Sequence, residues 1–237
     1  MNKESRALYN KRFNELFAQP IAVPVRLLNR RGYKYPTPQS LIENRDDPEL
    51  KIPLFEKSTY ITGTKNSPKR VRGITVNYIA DVLSNVIDIF PSLDINHVDM
   101  TCLTIELFDK ALLSMAVIPN DLILFICVAC MSISGKIFLD HFSEESGPEC
   151  VVSETELDIK VIKHVERLLL KRLDYNISTR YSVQWFIDYL GGYKATENDP
   201  IARKNLEDRL LDVYITGEYR LHDPFSMAVS IMAHINQ

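Results

Sequence analysis

The chain has 237 residues, 46% hydrophobic and 25% charged with only 8 glycines, a composition that fits one large or two small folded domains and excludes a fibrous or disordered polymer. Its net charge of −3 conceals an asymmetry, because residues 1–72 hold 15 Lys and Arg against 7 Asp and Glu (+8), and the remainder holds 13 against 24 (−11). A basic arm on an acidic body argues against a duplex reader, whose basic patch must lie on the folded face, so direct nucleic-acid binding is not expected.

Residues 1–16 carry charges throughout, unlike a secretory signal. The four cysteines, Cys102, Cys127, Cys130 and Cys150, are therefore expected as free thiols in a reducing compartment, the nucleus or the cytoplasm. Tyr9, Phe13, Leu16 and Phe17 recur at helical spacing, predicting a short amphipathic helix over 5–17. Seven prolines between Pro20 and Pro68 then rule out a long helix and predict an extended basic arm.

Helical spacing returns over 72–90 and stops at Pro91. Asp94 or Asn96 can cap the next helix, in which Val98, Cys102, Ile105, Leu107, Phe108, Leu112 and Met115 recur. Pro119 is read as the first residue of a third helix, 120–140, which is apolar on nearly every face from Leu122 to Ile133. That run is shorter than the roughly 20 residues a membrane span needs, so the helix is expected at the centre of a bundle. Ser153-Glu154-Thr155-Glu156 has the form of a capping box, followed by a helix to about Leu173 with Leu157, Val161, Ile162, Val165, Leu168, Leu169 and Leu173 turned inward. Helices over 181–190, stopped by Gly191-Gly192, over 200–215, and over 224–235 with Asp223 as cap complete an all-α pattern of two bundles joined near residue 175.

Four segments stand in a fixed order: IELFDKALLSM (105–115), FICVACMSISGK (125–136), IKVIKHVERLLLKRLDYNIS (159–178) and SVQWFIDYL (182–190). In this order they resemble the cyclin box, the five-helix domain of the cyclins, followed by the start of its second repeat. The resemblance implies an N-terminal helix and arm over 1–70, a cyclin box over 71–178 and a shortened second helical repeat over 179–237. It also implies a regulatory subunit that forms a heterodimer with a cyclin-dependent protein kinase and activates it by contacting its C-helix. A cyclin-fold adaptor that binds a partner without activating a kinase is the alternative.

Carried over from the family, the lysine and glutamate that reach the kinase main chain fall on Lys136 and Glu166. Such a pair supplies three donors and a carboxylate acceptor, which bind a backbone with little regard to its side chains. Read without the resemblance, Lys136 snorkels at a helix end and Glu166 pairs with Lys163 one turn back. The family's two acidic residues after the lysine are replaced here by Ile137 and Phe138, followed by Leu139, so Phe138 and Leu139 are expected to form an exposed apolar rim of the kinase-binding surface. Asp109 matches the family's helix-2 aspartate, which a basic residue of helix 1 usually pairs, with Arg72 its nearest candidate partner across a gap longer than usual.

Cys127-Val128-Ala129-Cys130 has redox spacing but lies mid-helix in an apolar run, where buried, inert thiols are expected. The five histidines show no metal-ligand spacing, and no phosphate loop, nucleophile elbow or kinase signature occurs, so neither a metal, a cofactor nor a catalytic residue is expected. Ser67-Pro68-Lys69-Arg70 has the form of a phosphorylation site, with Ser67 as acceptor beside basic residues.

Overall fold

A computed structural model describes residues 1–20, 77–79, 82–83, 97–115, 118–138, 152, 155, 157–175, 177 and 182–235. Every regular element among them is helical: α1 (Lys3–Ala18), α2 (His97–Ser114), α3 (Asn120–Phe138), α4 (Ile159–Arg172), α5 (Val183–Tyr189), α6 (Gly192–Ala195), α7 (Pro200–Thr216), a 3-10 turn (Glu218–Arg220) and α8 (Pro224–Ile235). Residues 77–79 and 82–83, inside the predicted 72–90 helix, are helical too, with Ile79 and Leu83 fully buried. The chain divides into two compact units, one containing α1 to α4 and the other α5 to α8.

In the first unit α3 is the central element. Every residue from Phe125 to Gly135 is buried, and both α2 and α4 pack against it. By length and composition α3 could cross a membrane, which the apolar run alone did not indicate, but 67% of its most apolar stretch is buried within the fold. It begins at Asn120 and not at Pro119, whose carbonyl accepts from the Leu122 amide at 2.9 Å. The thiols of Cys102, Cys127 and Cys130 are free and buried, and burial pushes all three well above the ordinary thiol range, so they are inert as the sequence suggests. Cys150 lies outside the described residues.

The cap of α4 differs from expectation. Of the Ser153–Glu156 box only Thr155 is described, and its hydroxyl donates to the Val152 carbonyl. Asp158 caps the helix instead, its side chain accepting from the Lys160 amide at 2.9 Å. Nothing local separates these two candidates. Asp158 prevails because its second oxygen also receives the Arg6 guanidinium of α1, at 2.6 Å, so one buried carboxylate closes a helix and anchors another. The α4 C-terminus closes with paired bonds, Tyr175 amide to Leu170 carbonyl and Asp174 amide to Lys171 carbonyl. This turn holds Asp174 and Tyr175 at φ of +52 and +54.

In the second unit, Ser182 caps α5 through the Trp185 amide. Gly191, at φ +77, turns the chain, and Gly192 opens the short helix α6 where the sequence suggested only a stop. A Cβ on Gly192 would stand 2.8 Å from Ile187 Cγ2, so glycine is needed there for close packing. Asp199 caps α7 and Asp223 caps α8, the latter as expected. Phe186 of α5 meets Phe225 of α8 edge to face at 5.5 Å between ring centres.

Candidate partner-binding site

The end of α3 and the middle of α4 bring Lys136 and Glu166 together. Lys136 is the first residue of α3 to emerge after eleven buried positions, and its ammonium donates to Glu166 Oε2. The two ends of this ion pair differ in exposure: 45% for the Lys136 side chain and 6% for that of Glu166. Lys136 is thus a surface residue and Glu166 a buried one. Glu166 follows buried Ile162 by four residues and precedes buried Leu169 by three, which places it on the flank of the core face. Its Oε1 is buried and accepts no hydrogen bond among the described residues. Such an oxygen costs about 1–3 kcal/mol when left without a donor.

Of the expected apolar rim, Phe138 lies among the described residues. Ile137 is 41% exposed, but Phe138 is half-buried, because it follows buried Ser134 by four residues and returns toward the same face. Leu139 lies outside the described residues. Asp109 is buried on α2 at 2% exposure, beside Cys130. Arg72 and Ser67 lie outside the described residues, as do the arm and the proposed caps Asp94 and Asn96.

Two features of α4 escaped the sequence reading. Arg172 is buried, and its terminal nitrogens donate to the carbonyls of Phe17 (3.3 Å), Gln19 (2.5 Å), Pro20 (3.1 Å) and Ser114. It thus gathers the C-terminal ends of α1 and α2, where orphan carbonyls and both helix dipoles favour a cation. With Arg6 on Asp158, a bidentate Arg12–Asp121 pair, and Tyr9 and Phe13 against the Phe125 ring, it fixes α1 onto α3 and α4. The second feature is a shallow depression of about 480 Å³ lined by Lys160, Lys163, Glu166 and Arg167.

These features define an all-helical domain whose central helix delivers a lysine onto the flank of its neighbour. The family profile described as "Cyclin, N-terminal domain" matches residues 48–178, more than half of the chain, and the protein belongs to the cyclin family. Its role is accordingly cyclin-like and regulatory. No curated protein matches the chain.

Proposed function

We propose that this chain is the regulatory subunit of a cyclin-dependent protein kinase, which it binds through Lys136 and Glu166 and holds in its active state. The observation that carries this reading is the unequal satisfaction of the pair. Glu166 keeps one buried oxygen without a donor, while the half-exposed ammonium of Lys136 has three donors and uses one on Oε2. A backbone N–H and C=O from a docked kinase segment would satisfy both at once. Among the described residues nothing donates to that Glu166 oxygen, so docking recovers a cost already present in the fold. The kinase helix held against this site would be biased toward the position in which the catalytic ion pair forms. Asp109 stabilises the domain from inside and the domain itself carries no catalysis in this reading.

The test is co-purification of the chain with a panel of cyclin-dependent kinases, wild type against Lys136→Ala/Glu166→Ala. Loss of binding by the double variant, with its helical content retained, is expected. Unchanged binding would remove both residues from the interface.

A further inference from the structure

Four cations, Lys160, Lys163, Arg167 and Lys171, are exposed along α4 at spacings of three, four and four residues, which puts them in one row. The row lies opposite the core face formed by Val161, Ile162, Val165 and Leu169. The flanks are occupied on one side by Lys136 of α3 on Glu166, and on the other by α1, whose Asn14 meets His164 at 3.0 Å. The row therefore faces outward between two docked helices. Within α4 the only acidic residue is Glu166, itself ion-paired, and the N-cap Asp158 is held by Arg6. The residues of α4 themselves are thus net positive, on a part of the chain, residues 73–237, that carries −11.

We propose that the segment of partner protein seated against α4 is acidic, with its Asp or Glu side chains over Lys160, Lys163 and Arg167 and its main chain on Lys136 and Glu166. The inference rests on the partner-binding reading above and adds the chemistry of the partner. Two observations converge on it. The three cations line the same depression as Glu166, so one segment can reach both. The buried, unsatisfied Oε1 of Glu166 marks that depression as a place where a ligand donates a hydrogen bond. An acidic segment carrying backbone N–H groups supplies both complements. A polyphosphate backbone supplies only acceptors and leaves Oε1 as it is.

The experiment measures fluorescence anisotropy of a labelled oligoglutamate peptide with the full chain. It compares wild type, Lys160→Gln/Lys163→Gln/Arg167→Gln and Lys136→Ala/Glu166→Ala, each checked for helical content by circular dichroism. The expected result is peptide binding by wild type that weakens with added salt and falls roughly tenfold in the triple variant, as three partly screened ion pairs would give. Equal peptide binding by wild type and triple variant would overturn the inference. So would tighter row-dependent binding of a short DNA duplex, or self-association of wild type that the triple variant loses, which would make a second copy the occupant. A kinase that binds wild type and triple variant equally would overturn it while leaving the proposed function intact. A row that binds the peptide in a chain that engages no kinase would sink the proposed function and leave the preference for carboxylates standing.

Discussion

Replacing Arg172 tests the first unit most severely, because one side chain there holds three helices. Arg172→Met keeps the length of the apolar stem and removes all four hydrogen bonds to the carbonyls of Phe17, Gln19, Pro20 and Ser114. Charge-assisted bonds are each worth about 1.5–3 kcal/mol before the cost of burying the cation. That cost is substantial: burial lowers the Arg172 pKa, and Nε is itself buried without a partner. The Pro20 end is exposed, so water can replace part of what is lost there, whereas the Ser114 end is buried. The net destabilisation should then be about 2–4 kcal/mol, read from urea unfolding followed by far-ultraviolet circular dichroism. Arg172→Lys should recover less than half of it, because an ammonium cannot span carbonyls that a planar fork reaches together. A loss below about 1 kcal/mol for Met, or full rescue by Lys, would refute the role of Arg172 as a junction.

Three further outcomes are expected. Lys136→Ala should cost about 1–2 kcal/mol, between an exposed and a buried pair, and almost nothing in a Glu166→Gln background; additivity within about 0.3 kcal/mol in that double-mutant cycle would show the two uncoupled. The Arg6 guanidinium holds the Asp158 carboxyl below its ordinary value, so the stability from this contact is present above the unfolded aspartate value of about 3.9 and lost as pH falls through the lower folded value. Arg12 acts on Asp121 with the same sign, and His164, whose charged form burial disfavours, adds to it below about pH 6.5. The protection factors of residues 3–18 against hydrogen exchange, corrected for the slower intrinsic exchange in acid, should therefore fall as pH is lowered, and Arg6→Ala/Arg12→Ala should remove most of that fall. Asp174→Gly should stabilise the chain by about 0.5–1 kcal/mol in thermal unfolding, since the left-handed turn after α4 strains any residue with a Cβ.

The helices were legible where periodicity or composition left one solution. The apolar run of α3 fixed it as the centre, and the Asp223-Pro224 start of α8 appears as read. Lys136 and Glu166 were found through the order of four segments, and their meeting follows from α3 ending beside the middle of α4. The burial of Glu166 and Arg172 was also legible in principle, because both fall in or beside the phase set by Ile162, Val165 and Leu169. They were passed over because a charged side chain at such a phase is normally assigned to the surface. The partners of Arg172 were not legible, since they are main-chain carbonyls of α1 and α2, 58 and more residues away in sequence. The choice of Asp158 over Ser153 had the same character: a tertiary contact from Arg6 decided between two local caps. Phe138 turned partly inward because helical phase carried it back toward Ser134, which a list of apolar residues could not indicate.

The central claim is activation of a kinase by the Lys136–Glu166 surface. Its most direct measurement is the rate at which purified cyclin-dependent kinases phosphorylate a Ser-Pro peptide, alone, with the wild-type chain, and with Lys136→Ala/Glu166→Ala. At least one kinase should be strongly stimulated by wild type and far less by the variant at equal concentration. Binding without stimulation by wild type would contradict the claim and identify the chain as an adaptor, and equal stimulation by both forms would place the activating contact elsewhere.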